Sequence, residues 1–426
     1  MESTNSIDHT LNHLFRQESG KMVSVLIKIF GSENIEMAED VVQDALLRAL
    51  EVWKFRGVPD NPRAWLYRTA KNKAIDIIRK NKHSRTIDFS DPERQLLTSE
   101  YTLTPTMNGY WEEAQIQDDF LGMMYACCDP EISPENQVTF ILKSLCGFST
   151  KEVAKSFLTS ETTISKRLYR TKEYFRNHKI APQIPSSEHI ASRTQSVLSA
   201  IYLMFNEGYN STHSEDLIRN DLIFQSLHLC KAMLDNEKTQ LPEVYALMAL
   251  MCFHTSRVDS RLTEEGKLIR LEDQDRSLWN KELIAAGTNY LFKAGSGNTF
   301  STYHCEASIA HQHCIAATYE DTNWKIILYF YNMLLSIEDD PVVALNRCLV
   351  ISILHGPEQA LKELKSLGKD PILDKYYLYH SSLAAMYEQL EEKDLAIDHF
   401  KKALELTQSK QEQLFLNERI DYLRDQ

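Results

Sequence analysis

The sequence predicts an all-α protein, and three observations support this prediction. Gly and Pro, which interrupt helices most often, number only 13 and 12 in 426 residues, about half their usual share. Apolar residues repeat at helical spacing in the segments 34–53, 62–82 and 133–176. Near the end of the chain, small and aromatic residues recur as in stacked helix pairs. We therefore expect two small helical domains, followed by a C-terminal helical-repeat domain.

The chain also lacks the features of membrane and secreted proteins. No stretch approaches the roughly 18 consecutive apolar residues that indicate a transmembrane helix. The first ten residues, MESTNSIDHT, contain neither the basic nor the apolar segment of a signal peptide. We therefore expect a cytoplasmic protein whose eight cysteines are reduced thiols.

Two basic segments stand out in a chain whose formal net charge is −13. The segment 63–85 contains eight Lys or Arg against one acid, and the segment 143–179 contains nine against three. Basic segments on helices are typical of nucleic-acid binding. The alternative is a pair of solvated helix faces.

The second basic segment has the pattern of two short helices joined by a turn. In GFSTKEVAKSFLTSETTISKRLYRTKEYFR (147–176), Ser149 and Glu152 have the spacing of a capping box, and Ser160 is a favourable N-cap for the second helix. This is the helix-turn-helix pattern, in which the second helix enters the major groove with its N-terminal residues first. Those residues are Thr162, Thr163, Ser165, Lys166 and Arg167, followed by Arg170 and Lys172, which could reach phosphates. A helical hairpin that binds a protein is the alternative.

Two amphipathic helices are predicted upstream. The first, 34–53, has its apolar positions at Ala38, Val41, Val42, Ala45, Leu46, Ala49 and Trp53. Its opposite face carries Asp40, Gln43, Asp44 and Leu47, which form either a solvated face or a docking surface. The second, 62–82, starts with Pro62, a favourable first helical residue. Its core candidates are Ala64, Leu66, Ala70, Ala74, Ile75 and Ile78, and its polar face includes Asn72, Lys73, Asp76 and Arg79.

These motifs, in this order and at this separation, resemble bacterial sigma factors of the extracytoplasmic-function group. The resemblance covers residues 5–180 and rests on AEDVVQDALLRALEVW, NPRAWLYRTAKNKAIDIIRK and the helix-turn-helix. It implies two helical domains, called region 2 and region 4. It also implies that the protein binds core RNA polymerase and directs it to promoter DNA, without being an enzyme itself.

The resemblance further implies a role for each polar stripe. Binding to core polymerase is expected from Asp40, Gln43, Asp44 and Leu47. Recognition of the −10 element is expected from Arg63, Trp65, Asn72, Lys73, Asp76 and Arg79, with the loop 54–62 receiving a flipped base. Recognition of the −35 element is expected from Thr162, Thr163, Ser165, Lys166, Arg167 and Arg170.

The resemblance also suggests the domain limits, and the Pro/Ser-rich stretch 181–189 indicates a linker. We expect region 2 at 1–90, an acidic linker at 91–114, region 4 at 115–180, a second linker at 181–189 and a helical extension at 190–426. Sequences such as LSAIYLMFNEGYNSTH and MMYACCDPEISPENQ resemble a subgroup with a long C-terminal extension. Asp129 stands where that subgroup usually has His after the paired cysteines, Cys127 and Cys128, so a metal or redox cluster is not expected there.

The extension is interpreted as a regulatory domain. Tetratricopeptide spacing is met by Leu383, Ala384, Tyr387, Ala396, Phe400 and Ala403, and by Ala360 and Leu364 in a degenerate repeat. Such a domain could bind a small molecule or a protein, or it could be a purely structural cap. No catalytic group, cofactor or metal is predicted.

Two rival functions stay open from the sequence. One is a stand-alone helix-turn-helix regulator that does not use core polymerase. The other is an enzyme with a metal bound by His304, His311 and His313, although this stretch is also explained by helix packing.

Overall fold

A computed structural model describes residues 2–81, 87–180, 182–211, 218–297, 299–368, 370 and 372–425. Across these residues there are twenty α-helices and no β-strand, apart from one isolated bridge between Leu262 and Leu268. The predicted all-α fold is confirmed. The chain divides into two compact units, Met1–Met204 and Phe205–Gln426.

The first unit is built from short and medium-length helices. They are α1 (Glu2–Phe30), α2 (Ile35–Arg56), α3 (Pro62–Asn81), α4 (Pro92–Gln95), α5 (Glu100–Tyr110), α6 (Glu113–Ala126), α7 (Pro134–Phe140), α8 (Thr150–Ser156) and α9 (Glu161–Asn177). A π-helical turn, Ile141–Leu145, continues α7, and 3-10 turns lie at Ser32–Asn34 and Leu96–Thr98. The next helix, α10 (Ser187–Tyr209), contains the division between the units.

The second unit continues with paired helices. They are α11 (Asn220–Asp235), α12 (Pro242–Thr255), α13 (Lys281–Ala294), α14 (Thr302–Ile315), α15 (Trp324–Ile337), α16 (Pro341–His355), α17 (Pro357–Leu367), α18 (Tyr377–Gln389), α19 (Lys393–Leu406) and α20 (Lys410–Asp425). Short 3-10 turns lie at Glu237–Thr239, Val258–Ser260, Leu271–Asp273, Arg276–Leu278 and Leu373–Lys375.

The apolar stripes predicted for α2 and α3 form part of the core. All seven apolar positions predicted for α2 are buried. On α3, Leu66, Ala70, Ala74 and Ile78 are buried. The core prediction for Ala64 was wrong, because this residue lies exposed in the first turn. Its backbone N–H donates to the Asn61 side chain at 2.9 Å, which caps the helix at the surface.

Helix α1 approaches the segment 141–147 so closely that two glycines are required. A Cβ on Gly20 would lie 1.8 Å from the Leu145 carbonyl oxygen, well inside van der Waals contact. A Cβ on Gly147 would lie 2.9 Å from Arg16 Cα, and Gly147 also has φ +70°. The predicted modules 1–90 and 115–180 thus pack into one compact unit. The predicted linker 91–114 is largely helical, since it contains α4 and α5.

The last five helices share one hydrophobic core. It includes all eight positions singled out by the tetratricopeptide spacing, among them Ala360, Ala384 and Ala403. Small residues at these positions let neighbouring helices approach, and Tyr387 and Phe400 fill the space between them. The assignment to that repeat class stays a prediction.

Candidate nucleic-acid interface

The turn between α8 and α9 is built by the caps that the sequence predicts. Glu152 accepts the Ser149 backbone N–H at 2.6 Å, and Ser149 Oγ accepts the Glu152 N–H at 3.1 Å. At the start of α9, Ser160 Oγ accepts the Thr163 N–H at 3.2 Å. Leu158, with φ +49°, supplies the left-handed residue of the turn. Local hydrogen bonds therefore fix the residues at which α8 and α9 begin.

The six residues predicted to read the −35 element lie together near the N-terminus of α9. Thr162, Ser165, Lys166 and Arg170 are exposed, whereas Thr163 and Arg167 are half-buried. The Arg167 guanidinium lies 5.0 Å from the centre of the Phe157 ring, and its Nη1 is a buried atom without a hydrogen-bond partner in the described chain. Arg167 is therefore held against the turn.

The second half of α9 contacts the acidic side of α2. Lys172 Nζ lies 2.5 Å from Glu39 Oε2, and Arg176 lies 3.8 Å from Glu36. Ser144 donates to the other Glu39 oxygen at 3.1 Å. Lys172, expected to reach phosphates, is thus bound to a carboxylate in this arrangement. Part of the second basic segment is therefore neutralised within the protein.

Other basic residues of this segment are also engaged or buried. Lys179 forms an ion pair with Asp88. Burial lowers the pKa of Lys143. Exposed positive charge remains at Lys151 on α8 and at Lys166 and Arg170 in the N-terminal half of α9.

The predicted polymerase-binding stripe is exposed along α2. Asp40, Gln43, Asp44 and Leu47 all face solvent, and the Leu47 side chain is 58% exposed. Lys73 Nζ of α3 donates a hydrogen bond to Asp44 Oδ2 at 2.8 Å and forms an ion pair with it. This hydrogen bond raises the pKa of Lys73. Glu36 and Glu39 contact α9, and Glu36 lies one turn before Asp40 on the same face of α2. The four residues of the stripe are nevertheless exposed in this arrangement.

The residues predicted to bind the −10 element are spread along α3. Trp65 is half-buried and packs edge-on against Trp53, with ring centres 5.5 Å apart. Asn72 and Asp76 are exposed, and Arg79 forms an exposed ion pair with Glu100 at 3.1 Å. These residues present a mixed polar surface.

Arg63 differs from the rest of this set because two carboxylates hold it, one of which is buried. Its guanidinium lies 3.2 Å from Glu18 and 2.6 Å from Glu113, and it also donates to Tyr67. Glu18 itself is buried on α1. Arg63 therefore connects α3 to α1 and α6 in this structure, and DNA would have to compete with two carboxylates for it.

Phe55 is a functional candidate that the sequence reasoning did not identify. The predicted bounds of the loop 54–62 were wrong: α2 extends to Arg56 and α3 begins at Pro62, so the loop is 57–61 and Phe55 lies in the last turn of α2. Its side chain is 91% exposed. Gly57, with φ +78°, turns the chain immediately afterwards. The sequence could have indicated this residue, because position 55 falls outside the repeat of buried apolar positions on α2 and an aromatic side chain there is expected to be exposed.

Comparison with known proteins identifies a family domain in the part of the chain that contains α2 and α3. Residues 14–84 match sigma-70 region 2. The proteins named ECF RNA polymerase sigma factor SigL, of Mycobacterium tuberculosis, and SigX, of Bacillus subtilis (strain 168), are 29% and 24% identical to this chain. Their alignments cover 31% and 33% of this chain, and 68% and 69% of their own lengths.

A relative of full length extends the comparison to the C-terminal unit. The uncharacterized protein R00370 of Rhizobium meliloti (strain 1021) is 30% identical over 401 residues, which cover 94% of this chain and 93% of that protein. The chain belongs to the extracytoplasmic-function group of sigma factors. Within that group it has the architecture with a long C-terminal extension, of which residues 193–295 match a family of unknown function, DUF6596. No solved structure matches this sigma factor.

These matches support a sigma-factor role, and this family is not a family of enzymes. In the described part of the chain, no helix is long and apolar enough to cross a membrane.

Four of the cysteines and histidines noted in the sequence, namely Cys127, Cys128, His304 and His311, are buried or have local packing contacts. Cys127 and Cys128 are buried free thiols, and burial raises the pKa of both. His304 caps α14, because its Nδ1 lies 2.9 Å from the Ser301 hydroxyl, and His311 packs 5.3 Å from the Phe253 ring. Within the described ranges, no three His, Cys, Asp or Glu side chains are grouped to hold a metal ion.

Proposed function

We propose that this sigma factor binds core RNA polymerase through the exposed stripe of α2 and directs it to specific promoters. The observation that carries the proposal is the accessibility of Asp40, Gln43, Asp44 and Leu47, on a helix that lies inside the region 2 match. An exposed leucine among acidic residues offers an apolar anchor surrounded by charge, a combination that suits a specific protein interface. A stand-alone DNA-binding regulator would not need this surface.

Promoter opening is assigned to α3 and the loop before it. The exposed Phe55 ring and the loop 57–61 would receive a base that leaves the duplex, since aromatic faces stack on unpaired bases. Lys73 and Arg79 would contact backbone phosphates after exchanging their present carboxylate partners for DNA.

Recognition of the −35 element is assigned to the N-terminal half of α9. Lys166 and Arg170 are exposed there, and Thr162 and Ser165 lie beside them. Lysine and arginine read guanine best, and Ser and Thr contact several bases. The contacts from Lys172 and Arg176 to α2 would have to open if the whole of α9 is to lie against DNA.

The deciding experiment is binding to purified core RNA polymerase. An Asp40→Ala/Leu47→Ala double variant should bind at least about tenfold more weakly than the wild type, because it removes a charge and the apolar anchor. Asp44 is left unchanged because it pairs with Lys73. Asp118→Ala is the control, since Asp118 is exposed in the same unit but on α6. Equal binding by all three proteins would refute the proposed docking surface.

We further propose that the unit Phe205–Gln426 modulates the activity of the sigma regions. The helix pairs of this unit resemble those that form extended binding surfaces. Promoter activity in cells should differ between the full chain and a chain ending at Met204, where the first unit ends. Binding of the shortened chain to core polymerase serves as the folding control. Unchanged promoter activity with intact core binding would assign the second unit a structural role instead.

A further inference from the structure

The second unit contains a group of half-buried polar and aromatic residues around Arg257. We call Tyr209, His254, Arg257 and His313 the Arg257 cluster. Tyr209 ends α10, His254 and Arg257 lie at and after the end of α12, and His313 is in the last turn of α14. The Tyr209 and His254 rings are 5.0 Å apart, and the Arg257 guanidinium lies 5.7 Å from the Tyr209 ring centre.

Two atoms of this cluster are buried without a hydrogen bond. Tyr209 Oη and His313 Nδ1 have no partner anywhere in the part of the chain that the structure describes. A buried polar atom without a hydrogen-bond partner destabilises the fold, so such atoms usually mark a ligand or ordered water. Both atoms can donate to an acceptor, since a phenol hydroxyl is a hydrogen-bond donor and a neutral imidazole carries one proton on either nitrogen.

Two neighbouring arginines donate hydrogen bonds to groups of the protein. Arg276 donates to the carbonyls of His313 and Ala316, at 2.8 and 2.9 Å, and so caps the end of α14. Arg261 stacks on the Tyr209 ring at 3.9 Å and donates to the Tyr209 carbonyl. Arg257 is half-buried, and among the described residues no carboxylate or carbonyl accepts a hydrogen bond from its side chain.

The electrostatics of the cluster agree with this geometry. Burial, followed by the charges of Arg257 and Arg276, lowers the pKa of His313 to about 3. Burial, Arg257 and Arg261 likewise lower the pKa of His254. Both imidazoles are therefore neutral at pH 7, and no carboxylate in the described ranges forms an ion pair with Arg257. The negative charge of Glu412 favours the charged form of Arg261, and that of Glu320 favours the charged form of Arg276.

We propose that the Arg257 cluster binds a small anion, namely the carboxylate or phosphate group of a metabolite. The Arg257 guanidinium would neutralise its charge, and Tyr209 Oη and His313 Nδ1 would donate hydrogen bonds to its oxygens. Water in place of a ligand would satisfy the two orphaned atoms but would leave the arginine charge uncompensated. This site stands whether or not the second unit modulates the sigma regions.

The test is thermal unfolding of the full chain in sodium phosphate, sodium acetate and sodium chloride at equal ionic strength. When the anion concentration is several times its Kd, we expect phosphate or acetate to raise Tm by about 2–4 °C relative to chloride. A rise in phosphate alone would assign a phosphoryl ligand, and a rise in acetate alone a carboxylate. No rise in either salt would overturn the proposal in favour of bound water.

Two variants locate the effect. Arg257→Gln should lose the anion-dependent rise, and Tyr209→Phe should lose at least half of it. Both should unfold in chloride at the wild-type Tm or slightly above it, because each removes an uncompensated group; a structural role predicts a lower Tm. Arg270→Gln and Tyr422→Phe are the controls, since Arg270 pairs with Glu272 and Asp273, and Tyr422 lies exposed beside Arg419. If Tyr209→Phe folds but keeps the full rise, the anion binds elsewhere.

Discussion

Lys172 Nζ lies 2.5 Å from Glu39 Oε2, although 133 positions separate the two residues in the sequence. The contact joins the helix proposed to read the −35 element to the helix proposed to bind core polymerase. Both side chains are largely buried, so salt screens the pair less than it would an exposed one. A basic residue that would suit DNA is thus held by an acid of its own chain.

Glu39→Gln should strengthen binding to duplex DNA. The substitution keeps an acceptor for Ser144 but removes the charge that holds Lys172. We expect a gain of about two- to fivefold, which corresponds to about 0.4–1 kcal/mol, the upper part of the range for exposed ion pairs. Fluorescence anisotropy with a labelled duplex at several salt concentrations would measure it, and the salt dependence should steepen by about one phosphate contact.

Glu51→Gln provides the matched comparison for Glu39→Gln. Glu51 lies on the same helix, but its ion pair with Arg48 is exposed and does not involve α9. Its substitution should leave DNA affinity within about twofold. If the two variants behave alike, the Lys172–Glu39 contact does not restrain DNA binding.

Gly20→Ala should destabilise the first unit. The added methyl would overlap the Leu145 backbone, and backbone cannot move aside as a flexible side chain can. We expect the free energy of unfolding to fall by about 1–3 kcal/mol in a urea titration. Gly109→Ala is the control, because no atom lies within 4 Å of the added Cβ and alanine favours its helix. Equal stability of the two variants would mean that α1 does not approach the segment 141–147 this closely in solution.

Local features of this chain were predictable from sequence, and contacts between distant segments were not. The capping box at Ser149 and the N-cap at Ser160 depend on residues three positions away, so both could be recognised by spacing alone. The apolar face of α2 follows from helical periodicity in the same way. The partners of Lys172 and Arg63 depend on how helices pack, which no local pattern encodes. The same holds for the orphaned atoms of the Arg257 cluster.

Acid should reduce the contribution of Glu152 to stability. Burial would raise the pKa of this carboxyl, but hydrogen bonds from Ser149 and the nearby Arg16 charge outweigh burial and lower it below its ordinary value of 4.5. A carboxylate with a lowered pKa stabilises the fold above its unfolded pKa, and this stability is lost as pH falls through the folded value.

The measurement is urea unfolding of the wild type and Glu152→Gln between pH 3 and pH 7. Glutamine preserves a capping acceptor but not the charge, so the variant should be less stable by about 1 kcal/mol at pH 7. The difference should shrink steadily below about pH 4.5. Glu173→Gln, at an exposed position on α9, should show no such trend. A difference that stays constant with pH would show that the carboxylate charge has no role.

Phe55→Ala should impair promoter opening without destabilising the protein. Burial of this ring cannot contribute to the fold, because 91% of the side chain is exposed. Base stacking on an aromatic residue contributes about 1–3 kcal/mol, so loss of the ring should slow or weaken open-complex formation by roughly 5- to 150-fold. Fluorescence of 2-aminopurine placed in the −10 element, with saturating core polymerase, would follow the opening directly. Tyr101→Ala is the matched control, since Tyr101 is equally exposed at 91% but lies on α5. Normal opening by Phe55→Ala would show that another group receives the flipped base, and the half-buried Trp65 would then be the first residue to replace.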